Sequence, residues 1–239
     1  MSVISKIEWT EATWNPITGC TRVSKGCQNC YAEKLAKRLE AMGNIRYKNG
    51  FNVTIHNDLI EKPLEWKKEK MIFVNSMSDL FHDSVDDDTI LKIFATMNKA
   101  SWHTFQVLTK RPERLIKLSK RIKWTKNIWM GVTVEDNAYI DRCEMLKMTG
   151  AKLKFISAEP LLSDLPDLDL NGIDWLIVGG ESGPKARKIE EEWILNLKKM
   201  ASDNGTAFFF KQWGGVNKKK TGCLLQGEIV QQYPSVNAE

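Results

Sequence analysis

From residue 71 onward, short apolar runs rich in Val, Ile and Phe alternate with longer stretches whose apolar residues recur every three or four positions. That alternation is the rhythm of βα units, and it predicts strands at 71–75, 104–109, 128–134, 153–157, 175–179 and 207–211. The strands are apolar throughout rather than on every second residue, as expected when both faces of a parallel sheet are covered. Between them the pattern predicts helices at 86–99, with Asp86, Asp87 and Asp88 at the dipole's positive end, and at 113–121, with Leu115 and Leu118 on one face. Further helices are predicted at 136–146, capped by Asp136 and followed by Gly150, and at 190–200, aligning Trp193, Leu197 and Met200. Residues 160–171, with two prolines and several aspartates, read as a loop. Upstream, residues 13–18 predict a first strand and 31–42 a helix stopped by Gly43, with Leu35, Leu39 and Met42 sharing a face. Residues 52–60 predict an extra strand or hairpin.

Six or seven such units imply an α/β fold, either a partial (β/α) barrel of parallel strands or an open doubly wound sheet. The expectation is a single domain over residues 1–239, with 214–239 as a tail packed on it. In either architecture ligands belong at the carboxyl ends of the strands. Polar residues gather there: Ser76, Ser78 and Asp79, then Lys110 and Arg111, then Glu135, Glu159, Glu181 and Lys211. Strand ends must be polar in any case, so each of these also reads as an ordinary rim residue. Together they place both signs of charge on one rim.

Composition narrows the class. With 42% hydrophobic and 27% charged residues among 239, the chain is globular rather than disordered. The longest apolar run is far short of the ~20 residues of a membrane-spanning helix, and no basic segment leads into an apolar leader. A cytoplasmic location without membrane association is expected. The net charge of +5 is too mild to identify a nucleic-acid binder by itself. Nine tryptophans, the lysines at 218–220, and Lys117, Lys120, Arg121 and Lys123 offer a basic, stacking surface, or else core packing and solvated faces. No G-x-G-x-x-G follows an early strand and no G-x-S-x-G elbow is present, which leaves dinucleotide enzymes and serine hydrolases without support.

Five cysteines form an odd set that is no secreted disulfide framework, and three fall in the spacing C-x6-C-x2-C at Cys20, Cys27 and Cys30. A helix beginning just after Cys30 would stabilise thiolates there, and Arg22 and Lys25 would add to this. Three cysteines suit a [4Fe–4S] cluster with one iron left open for an outside ligand. A closed Cys3His zinc site, completed by His56, His82 or His103, and a set of merely adjacent thiols are the alternatives. Cys143 and Cys223 show no metal spacing.

Seven segments in order carry a wider resemblance: Thr13 to Cys20, Gly26 to Glu33, Asn75 to His82, Leu108 to Glu113, Ser157 to Leu162, Val178 to Gly183 and Phe210 to Gly214. Over residues 6–235 the chain resembles a phage- and prophage-associated three-cysteine family of unknown function, itself similar to the radical S-adenosylmethionine (SAM) enzymes. The resemblance implies a radical-SAM-like partial barrel and a [4Fe–4S] cluster on Cys20, Cys27 and Cys30. It also implies SAM on the open iron, cleaved reductively to a 5′-deoxyadenosyl radical that acts in nucleic-acid or nucleoside modification or repair, with an outside electron donor. It departs from the usual C-x3-C-x2-C pattern and has Asn29 where an aromatic residue is usual, so Tyr31 is the candidate adenine contact. Gly179-Gly180-Glu181 resembles the methionine-binding motif but follows a late strand. Ser76, Ser78 and Asp79 are therefore the candidate second-strand contacts, and Glu181 a rim residue. Lys110 or Arg111 would pair the methionine carboxylate, and Glu135 or Glu159 the ribose hydroxyls. A zinc-binding nucleic-acid module and a non-catalytic cluster-binding barrel are the rival functions.

Overall fold

The computed structural model describes residues 3–4 and 7–235, with the backbone alone at residues 3, 4, 218 and 219. The chain divides into two compact units. The first comprises residues 1–23, 30–130 and 149–152, and the second residues 24–29, 131–148 and 153–239.

In the first unit, β1 (Val3–Ile4) runs antiparallel to β2 (Ala12–Trp14), and β2 pairs in parallel with the strand at Met71–Val74. Residues 13–18 do not form one strand. Pro16 lacks the N–H a ladder needs, and the chain resumes as β3 (Ile17–Thr18), antiparallel to β4 (Thr54–Ile55). Only those two residues of the 52–60 segment are strand; a 3-10 turn at Asn57–Leu59 follows. The helix α1 (Tyr31–Ala41) comes next after the cysteines. It buries Ala32 and Ala36 against Met77, Tyr47 and Phe51, leaving Leu35 and Met42 exposed. Small side chains permit the closer approach, and the larger apolar residues fall on the outer face.

β5 (Met71–Val74) pairs in parallel with β2 and with β6 (Thr104–Thr109), matching Ile72 to Phe105 and Val74 to Val107. Between them α2 (Asp87–Lys99) turns Ile90, Ile93, Phe94 and Met97 inward, the i, i+3, i+4, i+7 stripe of a core-facing helix. Asp86 caps it by accepting from the Thr89 N–H at 2.7 Å. Burying those four side chains contributes roughly 6–12 kcal/mol as an upper bound. After β6 come α3 (Pro112–Ser119) and β7 (Ile128–Thr133).

β7 is continuous through the boundary between the units. In the first unit the Phe105 N–H donates to the Asn127 carbonyl, and in the second the Val134 N–H donates to that of Ser157. The second unit continues with α4 (Asp141–Lys147), β8 (Leu153–Ala158), β9 (Trp175–Gly179), α5 (Glu191–Asp203) and β10 (Ala207–Gln212). The predicted helix at 136–146 is divided into a 3-10 turn at Asn137–Tyr139 and α4. β8, β9 and β10 are parallel, with Phe155 opposite Trp175 and Trp175 opposite Ala207. Every residue of β7 and β9 is buried, which explains their unbroken apolarity. The tail returns along β10, where the Phe210 N–H donates to the Val230 carbonyl and Gln232 N–H to that of Phe208. Residues 236–239 of the expected tail lie outside the described residues. The fold is thus α/β, a partial barrel sheet with seven parallel strands, β2 and β5 to β10, and β1 antiparallel.

Candidate metal centre

The cysteine loop belongs to both units: Cys20 and Cys30 to the first, Cys27 to the second. All five cysteines are thiols, and the three of the loop are half-buried.

In the first unit the loop starts from Gly19, whose φ of 86° and close approach to the Asn52 carbonyl admit no side chain. Cys20 is met by Arg111, whose Nη1 donates to its sulfur at 3.5 Å and to Asp79 Oδ2 at 3.3 Å. Nη2 donates to the Thr21 carbonyl at 3.2 Å and to its hydroxyl at 2.9 Å. Asp79, itself buried, also accepts from the N–H groups of Phe81 and Lys110, each at 3.0 Å, and from the Thr109 hydroxyl at 2.7 Å. Burial opposes the charge of Arg111, but Asp79 and Cys20 outweigh it and hold its pKa above the ordinary guanidinium value. His82 completes the group. Its Nδ1 accepts from the Ser84 N–H at 3.0 Å, which leaves the proton on Nε2 to donate to the Thr21 hydroxyl at 2.9 Å.

Of the two cations the sequence offered for a carboxylate, Arg111 is therefore committed to the loop. The Lys110 ammonium has no ion pair or hydrogen bond among the described residues. Ser76 and Ser78 shape the turn after β5: their hydroxyls donate to Asn15 Oδ1 at 3.1 Å and to the Ile17 carbonyl at 2.9 Å. Asn75 takes a positive φ of 59° at that strand end. Tyr31, exposed on the first turn of α1, donates its hydroxyl to the Ser76 carbonyl.

In the second unit two buried carboxylates hold residues 24–29. Glu135 accepts from the Ser24 hydroxyl, from the Gly26 N–H at 3.3 Å and from Arg142 at 2.9 Å. A Cβ at Gly26 would stand 2.9 Å from Glu135 Oε1, so any larger residue there would press on that carboxylate. Glu181 accepts from the Asn29 amide at 2.9 Å and from the Arg187 N–H, Nε and Nη2. Burial alone would raise the Glu181 pKa, but the hydrogen bonds from Arg187 and Asn29 lower it below the usual carboxylate range. Arg187 also reaches the Lys25 carbonyl at 3.1 Å. Glu159 accepts instead from Lys211 Nζ at 2.6 Å. Gly180 serves backbone packing, since a Cβ there would lie 2.0 Å from the Trp213 carbonyl oxygen.

Sequence reasoning missed Arg142, Arg187 and Thr21. No motif marks the two arginines, which lie seven and six residues after their glutamates; Asn29 was visible as a departure from the aromatic usual there.

The donor chemistry fits a thiolate-ligated cluster. The three thiols sit on an anchored loop, with a fixed guanidinium on Cys20 and the N-terminus of α1 at Cys30. Among the described residues no three His, Cys, Asp or Glu side chains are drawn together as around a single metal ion. The histidines of the zinc alternative contact hydroxyls or carbonyls: His56 the Thr18 hydroxyl at 2.9 Å, His82 that of Thr21, His103 the Pro63 carbonyl at 3.1 Å. Cys143 is buried, with its thiol pushed up to about 12 by burial. Of the nine tryptophans, Trp9, Trp14, Trp129 and Trp175 are buried in the core, four are half-buried, and Trp102 alone among the described residues is exposed. Lys117, Lys120, Arg121 and Lys123 form a solvated face, and the side chains of Lys218 and Lys219 lie outside the described part. No helix among the described residues is long and apolar enough to cross a membrane.

In fold the chain is similar to spore photoproduct lyase complexed with dinucleoside spore photoproduct, at 12% identity and a TM-score of 0.54 over 85% of this chain. It is similar also to a mutant of that lyase with bound AdoMet and the same dinucleoside, at 11% identity and a TM-score of 0.50. The chain spans 64% of the lyase's length, and at such identity the likeness concerns the fold alone, a partial barrel. No curated protein matches it in sequence. Residues 4–234 match the family described as "Protein of unknown function (DUF5131)", and the chain belongs to that family.

Proposed function

We propose that this chain is a radical SAM-type enzyme in which Cys20, Cys27 and Cys30 hold a [4Fe–4S] cluster, SAM takes the iron the protein leaves open, and the substrate is a nucleic-acid base or nucleoside. The observation that carries the reading is a three-cysteine loop anchored by buried charged groups on this partial barrel. The substrate class is supported by the lyase of similar fold, solved with a dinucleoside and, in one case, AdoMet. The phage setting implied by the sequence resemblance agrees with it.

A cluster held by Cys20, Cys27 and Cys30 would supply the one-electron reduction needed for radical chemistry with SAM on the substrate. The chain's own groups bind and orient. Arg111, backed by Asp79, fixes Cys20. Glu135 and Glu181 fix the segment bearing Cys27. Lys110, its backbone held by Asp79, offers a cation to the methionine carboxylate. Tyr31 offers its ring to the adenine, the turn of Ser76 and Ser78 its polar groups, and Glu159 a carboxylate to the ribose hydroxyls.

Anaerobic purification with iron and sulfide analysis tests this. The expected result is a brown protein with about four irons per chain that forms 5′-deoxyadenosine from SAM with dithionite, and Cys→Ala changes at 20, 27 or 30 that abolish both. A colourless, iron-free protein after reconstitution overturns it. So does about one zinc per chain without SAM cleavage, the signature of a zinc module. Bound iron with no SAM binding would indicate a non-catalytic barrel.

A further inference from the structure

We infer that the outer face of α1 is the docking surface for an acidic one-electron donor protein; the inference rests on the function proposed above. α1 begins at the residue after Cys30 and turns Ala32 and Ala36 inward. Its opposite face carries Leu35, Arg38 and Met42, at the i, i+3, i+7 spacing that places residues on one side of a helix. Leu35 is 40% exposed, Met42 68%, and Ile45 just beyond the helix 73%. Five of the eleven large apolar side chains exposed among the described residues fall between Val23 and Ile45, so the apolar surface is concentrated there rather than scattered.

The patch is ringed by positive charge. Residues 31–48 hold the five cations Lys34, Lys37, Arg38, Arg46 and Lys48 against Glu33 and Glu40, with Arg46 already paired to Asp58. Glu33 is already shared by Arg22 at 2.8 Å and Lys37 at 2.7 Å. Lys34, Arg38 and Lys48 are exposed and have no ion pair among the described residues. An acidic partner is thus favoured. Exposed Leu, Met and Ile beside Arg are the composition of a protein interface core, whereas a nucleic-acid face would be polar and supplied with stacking aromatics, of which α1 has Tyr31 alone.

The reaction demands a partner of this kind. Each SAM cleavage consumes one electron that the chain cannot generate. In the transfer step the donor's reduced flavin or iron–sulfur group loses one electron and the oxidised cluster gains it, with no bond made or broken. A small apolar patch with a charged rim, adjoining a cluster ligand, suits the small transient interfaces of electron-transfer pairs.

The test uses the full chain and a reduced, acidic flavodoxin as probe. The double variant Lys34→Glu/Arg38→Glu should lower the flavodoxin-driven rate of 5′-deoxyadenosine formation at least tenfold and leave the dithionite-driven rate unchanged. Leu35→Ser/Met42→Ser should weaken flavodoxin binding to the immobilised chain, measured without SAM, at least fivefold. Raising salt should slow the flavodoxin reaction of the unsubstituted chain alone. A flavodoxin rate and affinity insensitive to all four changes, with dithionite turnover normal, overturns the assignment while the proposed function stands. No turnover of the unsubstituted chain with dithionite overturns both. Displacement of flavodoxin by an oligonucleotide whose binding falls in the same variants would give the face to nucleic acid and overturn the donor assignment.

Discussion

Replacing Asp79 by Ala removes the acceptor on which the first part of the cysteine loop depends. Three donors lose their partner at once, the Thr109 hydroxyl and the N–H groups of Phe81 and Lys110, and Arg111 Nη1 is left with the Cys20 sulfur alone. The side chains of Asp79 and Arg111 are each only 8% exposed, so the guanidinium is left as an uncompensated buried charge. Breaking a buried pair by deleting one partner costs about 3–5 kcal/mol. With a urea m-value of roughly 2–3 kcal/mol/M, the unfolding midpoint should fall by roughly 1–2 M. Tryptophan fluorescence in urea reads this directly on the metal-free protein. The control is Asp79→Leu/Arg111→Met, which removes both charges and should recover the part of the loss due to the stranded guanidinium, leaving about 1 kcal/mol for each of the Thr109, Phe81 and Lys110 donors that still lack an acceptor. A loss under about 1 kcal/mol for Asp79→Ala, or a double variant as unstable as the summed single changes, would refute a buried, mutually dependent pair.

Acidification should destabilise the protein in the range below about pH 6.5. Burial lowers the pKa of His56 and His103, so below the unfolded value of about 6.5 the unfolded chain takes up protons that the folded chain does not, and stability drops as pH falls toward the folded pKa values. Thermal melts at pH 5.5 and 7.5 check the sign; a higher melting temperature at pH 5.5 contradicts it. Gly180→Ala should cost at least about 3 kcal/mol, because its Cβ would meet the Trp213 carbonyl oxygen at 2.0 Å, backbone that cannot swing aside. A stability within about 0.5 kcal/mol of the unsubstituted chain would show that the two segments separate freely. Among the thiols, Cys143 should resist iodoacetamide at pH 7.5 until denaturant is added, its thiol being pushed up to about 12, while the half-buried cysteines react; mass spectrometry showing Cys143 labelled first would exclude that burial.

Much of the fold was legible because its signals are local. The strands at 71–75, 104–109 and 175–179 were marked by unbroken apolar runs, and α2 by its stripe of Ile90, Ile93, Phe94 and Met97 with acid at its start. Each stretch carries its own period, cap or breaker, which no distant residue needs to supply. Where a proline interrupted the pattern, at Pro16, one strand became two, and a 3-10 turn split the helix expected at 136–146. The orientation of α1 was not legible. Leu35, Leu39 and Met42 share a side on paper, yet the alanines face inward because Met77, Tyr47 and Phe51 approach closely, a fact of packing rather than of period.

The polar residues at the strand ends could be named from the chain, but not what each holds. Asp79 binds an arginine rather than standing open, Glu135 and Glu181 carry the loop around Cys27, and Lys110 alone of the paired cations keeps an uncommitted ammonium among the described residues. Sequence fixes which side chain follows which strand, because position along the chain is covalent. Which polar group meets which depends on residues as far apart as Arg187 and the Lys25 carbonyl, 162 positions, and only the folded backbone brings such partners within hydrogen-bonding reach.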